Sequence, residues 1–290
     1  SVNLIADINK EGLAESPDYS IAVECLGDSV TIPRFPYPLK DITGTLTIND
    51  NSVKLKDIAA TIVDNVPATE DDATVILNGE VTLADNSFSG IHLYLTAKDI
   101  FFDDRLNLIL PERAHSLYNR LLPAGRFDLD LEKIGLSRVD DGWKSIDFAG
   151  DIIFNDCSLE IDGTKTELNA ALKTKGIYQI GEGLSSFQGA FDGGTIKVKG
   201  KSFTNLKADI LYDPNSRNWS TKDLIADCYG GKLKGKFELK QSVDQAGEYI
   251  LETGFDNVKL EQFLSDTKSG NVPEEDRTSG KMNGSLSLNG

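Results

Sequence analysis

The stretch Leu224-Ile-Ala-Asp-Cys-Tyr-Gly-Gly-Lys-Leu-Lys-Gly-Lys-Phe-Glu-Leu-Lys240 decides the fold. In its second half Leu233, Phe237 and Leu239 alternate with lysine and glutamate. Because successive side chains of a strand point to opposite faces, this pattern predicts a strand with one apolar and one charged face. Gly230-Gly231 lies between two alternating runs and predicts a tight hairpin, since the favoured two-residue turns need positive φ.

The composition is that of an acidic, turn-rich β protein. The 290 residues include 46 acidic and 30 basic side chains, a formal net charge of −16, and 26 glycines. Such a surface repels phosphate, which argues against nucleic acid as a partner and against attraction to anionic lipid headgroups. The same charge keeps a chain with much apolar strand surface in solution. The length suffices for one large β domain or two smaller ones.

The cysteines and histidines do not form a recognisable site. Cys25, Cys157 and Cys228 are far apart and lack zinc-ligand spacing, so we expect three buried or half-buried thiols, with one long-range disulfide as the alternative. His92, on the polar face of a strand, and His115, in a predicted helix, belong to no catalytic triad. We therefore expect no catalytic residue, no metal and no cofactor.

Alternation of apolar and polar residues continues along most of the chain and predicts roughly sixteen strands. Connections are short, which favours antiparallel pairing of sequence neighbours. Pro33–Pro38 excludes a central strand, whereas Pro111–Pro123 and Val258–Ser265 predict short helices. An antiparallel sheet of this many strands usually curls. The predicted fold is mainly β: a long, twisted and curled antiparallel sheet, a β-groove, with two short helices.

The order of these segments predicts five regions. They are N-terminal strands with a proline-rich bend (1–40), a first β-repeat region (41–104), a short helical insert (105–126), a second β-repeat region (127–258), and a short helix, a loop and the start of a further repeat (259–290). Strand-like text at both ends leads us to expect a piece of a longer protein. No apolar run reaches the roughly twenty residues that span a bilayer, so a membrane anchor is expected outside it.

Two segments share one plan, which predicts a repeat architecture. Ala97–Leu106 leads through the helical insert to Gly125–Leu131, and Phe255–Leu264 leads through a loop to Gly280–Leu286. Each runs from a strand through an Asp/Asn bend and a short helix to a strand that begins with glycine.

Three stretches carry a family resemblance: Phe255-Asp-Asn-Val-Lys-Leu-Glu-Gln-Phe-Leu264, Gly280-Lys-Met-Asn-Gly-Ser-Leu286 and Ala226-Asp-Cys-Tyr-Gly-Gly-Lys-Leu-Lys-Gly-Lys-Phe-Glu-Leu239. They resemble the AsmA/TamB-like superfamily over most of residues 40–290, but residues 1–40 match poorly. The resemblance implies a bacterial envelope protein in the periplasm, anchored to the inner membrane. It implies an apolar groove for phospholipid transport between membranes or for outer-membrane biogenesis.

The persistent apolar face and this resemblance together predict a non-enzymatic protein that binds phospholipid or another acyl-chain lipid. The candidate lipid-contacting residues are the apolar-face residues Leu46, Ile48, Val75, Leu77, Val81, Leu83, Leu93, Leu95, Phe148, Ile152, Phe154, Ile196, Val198, Leu233, Phe237 and Leu239. In a closed sandwich or barrel the same residues would pack against one another instead of contacting lipid.

Two other functions compete with lipid binding. A structural β-repeat module would bind other envelope proteins through an exposed edge strand. A glycoside hydrolase would need paired carboxylates, for which the chain offers Asp103/Asp104, Asp140/Asp141 and Glu274/Glu275. These pairs fall in predicted loops, and adjacent residues of a strand face opposite ways, so the sequence argues against an enzyme.

Overall fold

A computed structural model describes residues 4–8, 19–33, 35–63, 72–84, 87–110, 112–139, 142–161, 163–240, 248–265 and 279–290. The strands are β1 (Leu4–Ile8), β2 (Tyr19–Val30), β3 (Leu39–Asn49), β4 (Ser52–Ile62), β5 (Ala73–Ala84), β6 (Ser87–Phe101), β7 (Ala124–Val139), β8 (Gly142–Ile161), β9 (Thr164–Gln179), β10 (Gly183–Asp192), β11 (Thr195–Val198), β12 (Lys201–Asp213), β13 (Asn218–Cys228), β14 (Gly231–Lys240), β15 (Glu248–Lys259) and β16 (Lys281–Asn289). The helices are α1 (Asp104–Ile109), α2 (Glu112–Leu121) and α3 (Leu260–Ser265). The predicted mainly β class is confirmed.

The strands form one long antiparallel sheet in which sequence neighbours pair. They follow one another in chain order from β1 to β16, except that β11 lies off this path and pairs with β9 and β12. Short connections explain this order, because antiparallel neighbours need only a tight turn. The predicted long antiparallel sheet is confirmed, and the described residues of the proline-rich bend lie outside its strands.

The chain divides into two compact units. The first comprises Ser1–His115, Phe127–Gly150 and Ile177–Gly183; the second comprises Ser116–Arg126, Asp151–Gly176 and Leu184–Gly290. Each unit has its own apolar sheet face. The five regions outlined from the sequence stay a prediction.

Both predicted helices are present, as α2 and α3, and a third helix, α1, was not predicted. Asp103 caps α1, because its carboxylate accepts a hydrogen bond from the Leu106 N–H at 2.9 Å. Six residues are too few to reveal a 3.6-residue period in the sequence. His115 Nε2 lies 2.7 Å from the Leu110 carbonyl oxygen, at the end of α1. None of the helices in the described ranges could cross a membrane.

The hairpin of β13 and β14 is present, but its turn lies one residue earlier than predicted. Tyr229 and Gly230 are the turn residues, with φ of 46° and 76°, and Cys228 pairs with Gly231. This is the two-residue turn with positive φ at both centres. Gly231 belongs to β14, and this position requires glycine because a Cβ there would lie 2.6 Å from Asn257 C. The second glycine of the pair therefore allows close approach of β15.

Seven strands contain an Asp or Asn with positive φ: Asp41, Asp57, Asp99, Asp156, Asn205, Asp223 and Asn257. In β4, Leu55 pairs with Gly79 and Ile58 pairs with Leu77, so the strand holds one extra residue between them. The extra residue of such a bulge shifts the alternation of side chains by one position. In β4 the apolar residues therefore change from odd to even numbers, from Leu55 to Ile58, while they stay on one face.

Side chains of the neighbouring strand hold three of these bulges. The hydrogen bonds run from Asp57 N–H to Asn78 Oδ1 at 2.7 Å, from Asp99 N–H to Asp128 Oδ1 at 2.8 Å, and from Asn257 N–H to Asn283 Oδ1 at 2.7 Å. Asp99 and Asn257 occupy equivalent positions in the two segments of similar plan. In both segments the bulge is followed by a short helix.

We expect Gly231→Ala to destabilise the protein by about 2 kcal/mol, because the new methyl group would overlap the backbone of β15. Gly254→Ala is the matched control, since the nearest atoms to its Cβ position are 3.9 Å away. Urea unfolding of both variants measures the difference. Equal stabilities would contradict the assigned role of Gly231.

At the Asn257 bulge we expect Asn257→Gly to be more stable than Asn257→Ala by about 1 kcal/mol, because alanine disfavours the left-handed region. Asp256 precedes the bulge with ordinary negative φ, so Asp256→Gly should instead be less stable than Asp256→Ala. Thermal and urea unfolding of the four variants test this. The same order at both positions would refute the bulge assignment.

Candidate functional site

In the first unit the apolar face consists of residues that lie directly opposite one another in β2 to β6. The rows are Ile21–Ile48–Val53–Val81–Ile91, Val23–Leu46–Leu55–Gly79–Leu93, Ile58–Leu77–Leu95 and Ala60–Val75–Ala97. Seven of the predicted lipid-contacting residues lie in these rows, and Leu83 follows Val81 on the same face of β5. The rows contain no charged side chain. Cross-strand apolar pairs of this kind are the stabilising unit of a sheet.

The second unit has a corresponding face on β10 and β12 to β16. Its rows are Phe187–Tyr212–Trp219–Leu239–Tyr249, Gly189–Ile210–Thr221–Phe237–Leu251–Leu288, Leu224–Gly235–Thr253–Leu286 and Ala226–Leu233–Phe255–Gly284. These rows also lack charged side chains. They bring the predicted residues Leu233, Phe237 and Leu239 together with a row of aromatic residues that the sequence reasoning did not single out.

The remaining predicted residues lie elsewhere. Ile196 pairs with the buried Leu168 of β9, and Val198 pairs with Thr166. Phe148 belongs to the first unit, whereas Ile152 and Phe154 belong to the second. All five are half-buried. Leu233 is the one predicted residue that is fully buried, and the other fifteen are half-buried. A closed core would bury most of these apolar side chains fully.

Burial in the second unit increases along the strands toward one end. At the β13–β14 turn Ala226, Cys228 and Val258 are at most 1% exposed. At the opposite end of the same strands Trp219 and Leu239 remain half-buried. The apolar face is therefore covered at the end that carries α3 and open at the end where β12 turns into β13.

Helix α3 covers this buried end through Phe263. Its ring packs edge-on against Tyr229 at 5.7 Å and lies 6.2 Å from the ring of Phe255. Lys201 is buried, donates a hydrogen bond to the Phe263 carbonyl oxygen, and places Nζ 4.4 Å from the centre of the Phe263 ring. A buried ammonium group is costly without such partners, so Lys201 ties the helix to β12.

The first unit shows the same gradient. Tyr37, Ile62 and Ala73 form a buried cluster at one end, with Leu106 of α1 packed against it. At the other end, beside the β3–β4 turn, Ile48 is half-buried. Each unit thus has an apolar face that is closed beside a short helix and open at the far end.

A polar network fixes α1 over the buried cluster. Tyr37 donates a hydrogen bond to Asp103 Oδ1 at 2.6 Å, and Arg105 pairs with the other carboxylate oxygen at 2.7 Å. The Arg105 guanidinium also lies 4.6 Å from the centre of the Tyr37 ring. Burial acts to raise the pKa of Asp103, but hydrogen bonds from Tyr37, Leu106 and Arg105 outweigh it and hold this pKa below its ordinary value.

The three cysteines are free thiols, as predicted: Cys157 and Cys228 are buried and Cys25 is half-buried. Burial raises the pKa of both buried thiols, which keeps them protonated and unreactive. The Cys157 thiol donates a hydrogen bond to the Arg126 carbonyl oxygen at 2.7 Å. Cys157 directly follows the bulge at Asp156, and Cys228 is the last residue of β13.

The opposite sheet face carries the charge. Cross-strand ion pairs on it include Lys232–Asp227 at 2.6 Å, Lys236–Glu252 at 3.2 Å, Lys207–Asp192 at 2.7 Å and Lys197–Glu167 at 3.5 Å. The Lys232 ammonium and then Asn205 lower the pKa of Asp227 through hydrogen bonds. Exposed pairs stabilise little. Their main effect is to keep this face hydrophilic and so distinguish it from the apolar one.

A cleft of about 490 Å³ lies beside the β12–β13 turn, where Phe187, Leu211 and Tyr212 line it together with polar residues such as Ser186 and Gln188. Asn218 Oδ1, at its edge, is buried without a hydrogen-bond partner among the described residues.

The carboxylate pairs weighed for glycoside chemistry do not assemble within the described ranges. Asp103 caps α1 and binds Tyr37 and Arg105, and Asp104 lies in the first turn of that helix. Asp140/Asp141 and Glu274/Glu275 lie outside the described residues, as does most of the acidic loop 64–72. No group of metal-binding side chains occurs among the residues described.

Comparison of the chain with protein-family models, with curated proteins and with solved structures gives no match. The geometry of the two apolar faces is therefore the basis for assigning a function.

We expect Asp103→Asn to destabilise the protein at neutral pH, with a loss that shrinks as the pH falls below about 4. The folded-state pKa lies below its ordinary value, so the carboxylate stabilises the fold above that range and loses this contribution on protonation. Asparagine retains the capping oxygen but replaces the oxygen that accepts from Arg105, so the pH dependence of the loss, rather than its size, reports the charge. Urea midpoints between neutral pH and pH of about 3 measure the difference.

Asp104→Asn is the control, since it removes the same formal charge from the exposed neighbouring position. A penalty for Asp103→Asn that does not vary with pH would refute the role of the Asp103 charge.

Proposed function

We propose that this chain is a non-enzymatic lipid-binding segment whose apolar sheet faces hold the acyl chains of phospholipids. The observation that carries the proposal is the half-buried state of the paired apolar rows, which a packed core would bury completely. Half-exposed apolar surface of this extent marks a binding surface. Acyl chains match it because the rows contain no charged group with which a polar ligand could pair.

The size of the face also supports this ligand. Five strands at a spacing of about 4.8 Å place the outer strands β2 and β6 about 19 Å apart. One leaflet of a bilayer is about 15 Å of hydrocarbon, half of the roughly 30 Å core. The apolar face of one unit therefore has room for extended acyl chains.

The biological setting follows from the resemblance to AsmA/TamB-like proteins. On that basis the full-length protein is periplasmic and anchored to the inner membrane, and it transports phospholipid between the membranes or supports outer-membrane biogenesis. The strongly acidic composition agrees with recognition of the acyl chains rather than of anionic headgroups, because the net charge is −16.

The alternative is a module that binds envelope proteins along β16. This strand pairs only with β15 in the described structure. Lys281 is its one charged residue, and Leu286 and Leu288 are 44% and 42% exposed. Such a strand carries one charge and no proline, and charges and prolines are what usually prevent strand addition. This function predicts a bound protein and no bound lipid.

We expect acyl-chain lipid to co-purify with the protein and to be detected by mass spectrometry of organic extracts. Phe237→Asp should weaken binding of a fluorescent fatty-acyl probe by about tenfold or more, because a carboxylate would lie against hydrocarbon. Ile250→Asp is the matched control, since Ile250 is 40% exposed and pairs with Glu238 on the charged face. Absence of lipid, or equal loss in both variants, would refute the proposal.

A further inference from the structure

The apolar face of the second unit has two different ends. At one end, Phe187, Tyr212 and Trp219 form an aromatic row that is half-buried. The Trp219 ring lies 5.2 Å from that of Phe187 and 4.8 Å from that of Tyr212. At the other end, Val258 is fully buried and α3 covers the sheet. The face is thus open beside the aromatic row and blind beside α3.

Between these ends the face carries no charged side chain. Ile210, Phe237 and Leu251 lie in the row that follows the aromatic one. Thr221 is in the same row, and its hydroxyl accepts a hydrogen bond from the Phe237 N–H at 2.8 Å, so its oxygen already has a partner. No headgroup would find a charged partner along this path.

We propose that a bound lipid lies along the strands of the second unit, with its headgroup end at the Phe187–Tyr212–Trp219 row and its methyl ends against the α3 end. This inference rests on the proposed lipid-binding function and adds a direction to it. Tyrosine and tryptophan rings have an apolar body and a polar tip, and they concentrate at the level of lipid headgroups in membranes.

The length of the path supports this direction. Leu239 lies in the aromatic row and Leu233 in the buried row next to α3, six residues apart on β14. At about 3.4 Å per residue this is about 20 Å, which accommodates a chain that fills one leaflet of about 15 Å. The blind end suits a ligand that ends in methyl groups. A peptide strand or helix would carry polar backbone ends into the region covered by Phe263.

The test uses fluorescence of Trp219, since the chain has two tryptophans and Trp143→Phe leaves Trp219 alone. Phospholipids with bromine atoms near the carboxyl end or near the methyl end of the acyl chain are the quenchers. We expect the carboxyl-proximal bromines to quench Trp219 more strongly. In a Trp143→Phe, Trp219→Phe, Phe263→Trp protein the order should reverse, because that reporter lies at the blind end.

The outcomes separate the two claims. If mass spectrometry finds no bound lipid and neither lipid quenches Trp219, the proposed function itself fails. If lipid is bound but methyl-proximal bromines quench Trp219 equally or more strongly, the direction is overturned while lipid binding stands. If the Phe263→Trp protein does not fold, the order of quenching in the Trp143→Phe protein alone decides the direction of the bound lipid.

Discussion

The structure depends on one constraint: apolar side chains must stay on one face of long strands, seven of which contain an Asp or Asn with positive φ. A one-residue shift of register turns every following side chain to the opposite face. Each leucine moved from half-buried to exposed would cost a substantial part of the roughly 2 kcal/mol of its full burial. The Asp and Asn residues with positive φ meet this constraint, because they add one residue where the apolar positions change between odd and even numbers.

The bulges also explain the positions of several glycines. Gly44 lies against the backbone of Asp57 and Ile58, Gly125 against that of Asp156 and Cys157, and Gly231 against that of Asn257. A bulged strand approaches its neighbour more closely, so only a residue without Cβ fits there. Glycine, bulge and neighbouring strand form one packing unit that occurs in both halves of the chain.

The two ends of the strands have different roles. At the helix-bearing end of the strands the chain packs tightly, and a short helix with a polar anchor covers the face. The anchor is Asp103 with Tyr37 and Arg105 in the first unit, and Lys201 with Phe263 in the second. At the opposite end of the strands the same face is only half-buried. Stability is therefore concentrated at the helix-bearing end, and the open end remains available for a ligand.

Much of the fold could be predicted from alternation alone, because Leu233, Phe237 and Leu239 must share a face wherever β14 lies. The sequence also carried the signal for the bulges, as two consecutive polar residues such as Lys56-Asp57 or Asp256-Asn257 between runs of opposite parity. At Asp256-Asn257 this signal predicts only a bend, since an extra residue is recognised by its effect on the partner strand. The turn was misplaced for a similar reason: Gly230 and Gly231 look alike until the approach of β15 is known.

The sequence by itself determined the class of the fold, the antiparallel order of its strands and the two-faced character of each strand, because these follow from local pattern and spacing. Only the tertiary structure decided which apolar residues are covered. The burial of Val258, the half-burial of Trp219 and the anchoring of Phe263 by Lys201 depend on contacts between segments far apart in the chain. Periodicity places a side chain on a face, whereas its exposure depends on what packs against that face.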